Sequence, residues 1–274
     1  MYKKCEESGL EDPLHEMLAI LDHMSKGILR QIEPDPSEWD LDDIIRRRKS
    51  GIPIDYIFGR TYFMGYEFFC NPETLIPTPE TSELVRMVID EVDDDPDPDR
   101  SYRIIDMGTG CGNIAISMGL NIDNAVIFAS DLSAGAVEVA RRNVEKHDLS
   151  DRIETCAGDL FQPFLGNEGN IGSFDFVVCN PPYLPTESIK KLPSEIRDHE
   201  PHLALDAGPF GIDFFIRLFD ESAEFLKPGG KLVFEIGEGQ GRFVRRLLKK
   251  NGRYSEPRVR TYNDSERFFI AAKL

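Results

Sequence analysis

Residues that build disulfide frameworks or metal sites are scarce in this sequence. Its five cysteines are Cys5, Cys70, Cys111, Cys156 and Cys179. They form no Cys-x-x-Cys pair and no metal-ligand spacing with histidine, and their odd number fits a reducing compartment. We therefore expect no structural disulfide and no bound metal.

Long apolar runs are missing as well. No stretch approaches the roughly 20 apolar residues that a membrane-spanning helix needs. The N-terminus already includes Glu6 and Glu7 instead of the apolar core of a secretory signal. The sequence therefore predicts a soluble, cytoplasmic protein with no membrane association.

Positive charge is the third shortage. The chain has 32 Lys and Arg residues against 49 Asp and Glu residues, a net charge of -17 at pH 7. Because affinity for nucleic acids comes largely from neutralising phosphates, this balance argues against direct binding of DNA or RNA unless a basic face is segregated. The basic runs at 46–49 and 245–250 are interpreted as solvated helix faces, with contact to a partner as the alternative.

A chain of 274 residues is long enough for one large domain and a small one. Apolar residues recur at helical spacing from Pro13 to about Ile57, with a Pro-containing break, which predicts an N-terminal helical domain over residues 1–55. The aromatic segment around Gly65 predicts a β-hairpin linker over 56–78. Residues 79–274 form the predicted main domain, which begins with a helix over 80–92 and a solvated acidic loop over 93–99.

From residue 100 onward the pattern is strand, turn, helix, repeated. Strands are predicted over 103–107, 126–130, 152–156, 174–179, 231–236, 258–262 and 267–272. This alternation predicts an α/β fold with a doubly wound, mostly parallel sheet of seven strands. Only a short polar turn separates the last two strands, so we expect them to form a closing antiparallel hairpin.

A glycine-rich turn follows the first of these strands and precedes a helix predicted over 114–120. After Asp106 and Met107 it consists of Gly108, Thr109, Gly110, Cys111 and Gly112. Glycine permits close approaches that a Cβ would block, so a ligand can lie against the bare backbone. The spacing differs from the dinucleotide pattern Gly-x-Gly-x-x-Gly, and Asp106 can bind an ammonium group or its water shell. An amino-acid-bearing cofactor therefore fits better than a dinucleotide.

Acidic residues follow the next two strands. Asp131 ends the second strand, where a carboxylate can accept hydrogen bonds from both hydroxyls of a ribose. Asp159 follows the third strand and is a candidate contact for an adenine amino group, while Leu160 can supply an apolar wall. Any one of these aspartates alone could equally cap a helix. Together with the glycine turn, they predict a cofactor site.

The apolar strand over 174–179 runs directly into Asn180, Pro181, Pro182 and Tyr183. Two prolines stiffen this segment and remove two amide donors, so it presents carbonyl groups. An amide or amino-purine nitrogen is a poor nucleophile because its lone pair is delocalised, and its activation must come from positioning. We hypothesise that the Asn180 side-chain oxygen and the Pro181 carbonyl bind such an NH₂ group, with Tyr183 against its plane, in line with a sulfonium methyl. The alternative is a turn that only closes the strand.

The Asn-Pro-Pro-Tyr segment and the glycine turn resemble those of amino-methyltransferases as a group, which include DNA adenine-N6 enzymes. Further segments are similar to the HemK/PrmC family of release-factor glutamine methyltransferases, namely 54–59, 63–68, 75–81, 199–205 and 211–215. The predicted closing hairpin also distinguishes a methyltransferase sheet from that of a dinucleotide dehydrogenase.

This resemblance implies a class I (Rossmann-like) sheet that uses S-adenosyl-L-methionine and releases S-adenosyl-L-homocysteine. It implies methylation of N5 of the glutamine in the Gly-Gly-Gln motif of a class 1 peptide-chain release factor, with the N-terminal helices helping to hold that protein. Carried over by position, 108–112 form the cofactor loop, Asp131 contacts the ribose and 180–183 hold the glutamine. We expect a monomer. Two positions depart from the family pattern: Thr78, where relatives usually have Arg, and Leu160, where they often have Trp.

Other interpretations stay open on the sequence alone. A nucleic-acid adenine-N6 methyltransferase would use the same loop, although it needs a basic groove for which the charge balance offers little. An inactive adaptor that only binds the cofactor is a second alternative, and a ribosomal-protein glutamine methyltransferase is a third. For His199, in a polar loop, a structural hydrogen bond is favoured over a catalytic role.

Overall fold

The computed structural model describes residues 1–30 and 40–274, and it begins with four helices. These are α1 (Tyr2–Ser8), α2 (Pro13–Arg30), α3 (Leu41–Lys49) and α4 (Ile54–Phe58). Cys5, Ile20, Ile44 and Ile45 are buried together where the helices meet. Helix α1 was not predicted because it is short and mostly charged. The predicted Pro-containing break lies outside the described residues.

The predicted hairpin follows these helices. It consists of β1 (Arg60–Phe63) and β2 (Tyr66–Phe69), which pair antiparallel. The turn between them holds Met64 and Gly65, both with positive φ angles, 50° and 83°. Residues 70–78 then connect the hairpin to the main part of the chain. The segment 56–78 is called the linker below.

Seven strands form the main sheet, as the alternating pattern predicted. They are β3 (Tyr102–Met107), β4 (Ala125–Asp131), β5 (Ile153–Ala157), β6 (Phe174–Cys179), β7 (Leu226–Glu235), β8 (Arg258–Tyr262) and β9 (Ser265–Ala272). Their order is β5-β4-β3-β6-β7-β9-β8. The first five are parallel, while β9 runs antiparallel to β7 and to β8. The closing hairpin and the doubly wound order are therefore confirmed.

Eight helices of the described chain accompany this sheet. They are α5 (Ser82–Asp93), α6 (Asn113–Asn121), α7 (Ala134–Lys146), α8 (Thr186–Ile189), α9 (Ser194–His199), α10 (His202–Leu205), α11 (Asp213–Phe225) and α12 (Gly241–Asn251). Helices α5, α6 and α7 supply one apolar core of the sheet, and α11 and α12 supply the other. Burying both faces leaves the carboxyl edge of the parallel strands as the place where polar loops meet. No helix in the described ranges is long and apolar enough to cross a bilayer.

Arg48 ties the N-terminal helices to the rest of the chain. Its guanidinium donates to Glu16 on α2 at 2.6 and 2.8 Å and to Glu195 on α9 at 2.7 Å. It also donates to the Ile52 carbonyl at 2.6 Å, and its side chain is only 10% exposed. The interpretation of 46–49 as a solvated face is therefore wrong for Arg48, although Arg46 on the same helix is 76% exposed.

Candidate functional site

The glycine-rich turn leaves its backbone open at two positions. Gly108 and Gly110 have φ angles of 71° and 55°, and a Cβ added to either would meet no atom within 4 Å. The amides of Gly108 and Thr109 donate to the Ser130 carbonyl at 2.8 and 2.9 Å, which fixes the turn to the end of β4. The turn is thus a rigid, uncovered strip of backbone against which a ligand can pack.

The end of the turn faces the protein interior instead. Cys111 is fully buried, and its carbonyl accepts a hydrogen bond from the Asn143 side chain on α7 at 2.8 Å. A Cβ on Gly112 would lie 3.1 Å from Ile116 and 3.4 Å from Ala140. Neither Cys111 nor Gly112 lines the cavity described below. Both contact the helices beneath the turn and so fix its shape without facing the cavity.

Asp106 lies beneath the turn. One carboxylate oxygen, Oδ2, accepts from the Thr109 hydroxyl at 2.6 Å and from the Ala115 amide at 3.1 Å. The other, Oδ1, is buried and has no hydrogen-bond partner in the described part of the chain. Burial raises the pKa of this carboxyl to about 7. Asp106 is outside the cavity wall, but the unpaired Oδ1 is the kind of atom that a bound water or ammonium group satisfies.

Asp131 connects the turn to the next helix. Its Oδ2 accepts from the Gly110 amide and its Oδ1 from the Ser133 amide, both at 2.9 Å. Ser133 itself caps α7 by accepting from the Ala136 amide. Burial raises the pKa of Asp131. Each of its oxygens keeps a free lone pair, so the side chain can still accept from a ligand in the cavity that it lines.

Asp159 and Leu160 form a further part of the wall. Asp159 is about half exposed and forms an ion pair with Arg217 on α11 at 3.0 Å. Leu160 is buried and has a positive φ angle of 46°, which turns the chain at the base of the cavity. The sequence pattern gave no sign of Arg217, because its proximity to Asp159 depends on the packing of α11 against the sheet.

The Asn180–Tyr183 segment leaves the carboxyl end of β6, and only its first part lines the cavity. Asn180, Pro181 and Pro182 line it. Tyr183 does not: its ring packs under the Arg267 guanidinium, 5.6 Å from the ring centre, and its carbonyl accepts from Gln240 at 2.9 Å. Burial raises the pKa of Tyr183 to about 12. The structure therefore places the Tyr183 ring against Arg267 and outside the cavity wall, away from the position predicted for it beside an acceptor amide.

The Asn180 amide has a defined orientation. Its Nδ2 donates to the Thr81 hydroxyl at 3.2 Å, and the Thr81 hydroxyl donates to Glu235 Oε2 at 2.9 Å. No described residue donates to Asn180 Oδ1 within hydrogen-bond distance. The roles of Thr81 and Glu235 were not predicted, because nothing in their local pattern shows that the entry turn and the end of β7 meet beside β6.

The glycine turn, Asp131 and Asn180 all line one cavity of about 430 Å³, a size typical of sites for small molecules and cofactors. Its remaining wall comes from the linker and from the segment around α10, including Leu75, Pro77, Thr78, Pro201, Leu203 and Phe214. His199 lies outside this wall, and its Nε2 contacts the Ser50 carbonyl at 3.1 Å, the structural role favoured from the sequence. Within the described ranges, no group of three or more His, Cys, Asp or Glu could hold a metal ion.

Comparison with known proteins identifies similar chains. Residues 85–195 match the family model "Methyltransferase small domain". The chain is 38% identical over 228 residues to the release factor glutamine methyltransferase of Moorella thermoacetica, covering 83% of this chain and 77% of that one. The corresponding protein of Chlorobaculum tepidum is 36% identical over 236 residues, covering 86% and 78%, and that of Bacillus cereus is 34% identical over 252 residues, covering 89% and 86%.

Solved structures give the same architecture at lower identity. The N-terminal domain of human METTL16 in complex with SAH aligns with a TM-score of 0.57 at 20% identity, covering 85% of this chain and 84% of that one. A methyltransferase from Pyrococcus furiosus aligns with a TM-score of 0.55 at 19% identity, covering 83% and 98%. At this level of identity the likeness concerns the fold alone.

Proposed function

Since the chain belongs to the release factor glutamine methyltransferase family, we propose that it methylates the side-chain amide nitrogen, N5, of a protein glutamine. The proposed methyl donor is S-adenosyl-L-methionine, and the proposed substrate is the Gly-Gly-Gln motif of a class 1 peptide-chain release factor. The family name is that of the relatives, and the site geometry supports its transfer to this chain.

One observation carries the proposal: Asn180 presents an acceptor to the cavity that the glycine turn also lines. Because its Nδ2 is held by Thr81, its Oδ1 is the end left for a ligand. A primary amide has two N–H donors, and Asn180 Oδ1 with the Pro181 carbonyl supplies two acceptors. A hydroxyl has only one hydrogen to donate and could use only one of these two acceptors.

The residues present fit the proposed cofactor. Gly108 and Gly110 leave space that any Cβ would fill, and Asp131 offers carboxylate lone pairs for ribose hydroxyls. Leu160 supplies the apolar wall for the base, and the unpaired Oδ1 of Asp106 can hold the amino group or its water. When bound, S-adenosyl-L-methionine supplies a methyl group activated by a positively charged sulfur.

The chain itself contributes orientation and charge stabilisation. Asn180 and Pro181 fix the two N–H groups of the glutamine amide, so that its nitrogen faces the methyl group in the geometry of attack. As the new bond forms, this nitrogen becomes positively polarised, and both acceptor oxygens then bind its hydrogens more strongly. The nitrogen gains the methyl group and loses one proton during or after the transfer.

The domain division is also a proposal. Residues 1–55 would dock the substrate protein, 56–78 would link, and 79–274 would catalyse. Support comes from α2, where Leu14, Leu18 and Leu21 share one face and are 52%, 54% and 40% exposed. An apolar face of this kind is suited to contact with a partner protein.

The test incubates the protein with methyl-labelled cofactor and, separately, with a class 1 release factor, ribosomal proteins and DNA. Labelled peptides are mapped by mass spectrometry. A release factor whose Gly-Gly-Gln glutamine is replaced by glutamate is the matched control. We expect label on that glutamine and none on the control. Label on DNA adenine, or only on a ribosomal protein, would contradict the proposed substrate, and cofactor binding without any label would indicate an adaptor.

A further inference from the structure

We propose that Thr81 and Glu235 are positioning residues, which fix the orientation of the Asn180 amide so that its oxygen faces the glutamine. This inference rests on the proposed function, because it concerns how the acceptor is presented. The inference adds Thr81, from the entry turn, and Glu235, from β7, to the acceptor site. From the sequence, this acceptor site was predicted in the Asn-Pro-Pro-Tyr segment alone.

Thr81 is at the centre of a hydrogen-bond chain. Its side chain is 2% exposed, and its hydroxyl has three neighbours: Glu235 Oε2 at 2.9 Å, Asn180 Nδ2 at 3.2 Å and Thr78 Oγ1 at 3.1 Å. Thr81, Asn180 and Glu235 come from distant parts of the sequence, so the fold brings them together. Thr78, which departs from the family pattern, completes this chain.

The chemistry of the three groups sets the direction of the bonds. A carboxylate only accepts, and a hydroxyl has one hydrogen to donate. Since Thr81 donates that hydrogen to Glu235, it can only accept from Asn180. An amide that must donate to Thr81 presents Nδ2 there and turns Oδ1 the other way. The charge on Glu235 thereby determines which end of the Asn180 amide is available to the substrate.

Glu235 is a carboxylate held in place by one cation. It is 1% exposed, and its Oε1 accepts from Arg267 on β9 at 2.8 Å. The other ionisable groups facing this region are Glu80 and Tyr183, each 3.4 Å from the same guanidinium nitrogen, and the buried Cys179 on β6. Burial, opposed by Thr81 and Arg267, raises the pKa of Glu235 to about 6.

Protonation would reverse the chain. Below about pH 6, Glu235 carries a proton that it can donate to Thr81, whose own hydrogen is then free to point at Asn180. The amide is no longer restricted to one orientation. The enzyme should therefore lose kcat as pH falls through this value, and the loss should disappear when residue 235 cannot titrate.

The test compares matched pairs of variants. Thr81→Val keeps the shape and removes the hydroxyl, whereas Thr81→Ser keeps the hydroxyl. Glu235→Gln removes the charge in contact with Thr81, whereas Glu80→Gln removes the neighbouring charge that contacts only Arg267. We expect kcat to fall about 10- to 100-fold in Thr81→Val and Glu235→Gln, and by less than about threefold in Thr81→Ser and Glu80→Gln. Cofactor affinity should stay within about threefold of wild type in all four.

The pH profile of kcat separates positioning from simple stabilisation. Wild type should show the acid limb near pH 6. Glu80→Gln should keep this limb at a lower pH, because the charge on Glu80 helps to raise the pKa of Glu235, and Glu235→Gln should lack it. If Thr81→Val and Glu235→Gln turn over like wild type while Asn180→Ala is inactive, the inference is wrong and the proposed function stands. If Asn180→Ala is also fully active, Asn180 is not the acceptor group and the inference loses its premise, whereas the proposed function fails only if wild type places no methyl group on the glutamine. If Glu235→Gln does not fold, the inference is tested by comparing the kcat of Thr81→Val with that of Thr81→Ser.

Discussion

At the scale of single residues, the four residues of the Asn-Pro-Pro-Tyr segment differ in where they lie. The residues 180–182 line the cavity. Tyr183 packs under Arg267 instead, and its carbonyl accepts a hydrogen bond from Gln240. These contacts hold Tyr183 outside the cavity wall, so we expect it to fix the position of the loop rather than to contact the ligand. Its hydroxyl is 3.4 Å from Arg267, at the limit of a hydrogen bond.

A pair of substitutions tests this role. Tyr183→Phe keeps the ring under Arg267, and we expect kcat to change by less than about threefold. Tyr183→Ala removes the ring that packs under Arg267 and so removes this anchor of the loop, and we expect kcat to fall about 10-fold or more. Steady-state kinetics on both variants provide the measurement. If Phe is as damaging as Ala, the hydroxyl acts on the substrate and the supporting role is wrong.

The sequence predicted residues that end strands better than residues that meet across the fold. Asp131 and Asn180 were found because each directly follows an apolar strand, and the carboxyl ends of parallel strands share an edge. Asp106 is the next-to-last residue of β3, and its side chain turns inward to Thr109 and the start of α6. Glu235 also ends a parallel strand, β7, but nothing local shows that it meets Thr81 and Asn180, since that contact depends on β6 and β7 being neighbours.

At the scale of elements, the attachment of α2 and α3 to the main part of the chain depends on Arg48. Replacing Arg48 by Ala leaves Glu16 14% exposed without its partner. We expect a loss of about 3 kcal/mol in the free energy of unfolding, because the Glu16 carboxylate is then left unpaired and poorly hydrated. Arg46→Ala, which removes an exposed ion pair on the same helix, should cost less than about 1 kcal/mol. Denaturant unfolding measures both, and equal losses would contradict the role of Arg48.

The linker is held to the segment before α10 by a partly buried acid, Glu200. Glu200 Oε2 accepts from the Ile76 amide at 3.1 Å, and burial raises the pKa of Glu200 from 4.5 to about 7. The folded state thus favours the protonated form. The stability that Glu200 contributes is present below pH 4.5 and is lost as pH rises through about 7.

Glu200→Gln should therefore gain stability over wild type as pH increases. We expect the two melting temperatures to be closest near pH 4.5 and the variant to melt higher above pH 7. Glu187→Gln is the control, because Glu187 is exposed beside Lys190. Thermal unfolding across this pH range provides the measurement. A constant difference between Glu200→Gln and wild type would show that the Glu200 carboxyl does not titrate with folding.

Elements with strong patterns were predicted closely, and elements with mixed patterns were not. Strand β6 occupies the predicted residues because all six of its side chains are buried and apolar, apart from Asp175. Strand β7 begins at Leu226, earlier than predicted, since Pro228, Gly229 and Gly230 interrupt the strand pattern where the pairing with β6 shifts register. Helix propensity alone could not reveal the highly charged α1.

At the scale of the whole molecule, the sheet order explains why one site draws on so many segments. Strands β3, β4 and β6 are adjacent, so the glycine turn, Asp131 and Asn180 meet at one edge. The linker and the segment around α10 then close the cavity over that edge. The alternating pattern predicted the edge, whereas the covering wall could not be predicted because it depends on loops that pack without periodicity.

Charge at this scale agrees with a protein substrate. The net charge of -17 disfavours a polyanion. The four basic residues 245, 246, 249 and 250 lie on α12, where Arg245 is already paired with Glu256 and Glu266. Arg245 is therefore already neutralised, and the overall negative charge makes an amide acceptor in a protein the better match for the Asn180 site.

The most direct test treats a class 1 release factor with wild type and with Asn180→Ala, and follows methylation of the Gly-Gly-Gln glutamine by mass spectrometry while calorimetry measures cofactor binding. We predict one methyl group on N5 of that glutamine with wild type, and a rate at least about 100-fold lower with Asn180→Ala. Cofactor affinity should differ by less than about threefold. Undiminished methylation by Asn180→Ala, or methylation by wild type at another residue only, would contradict the account.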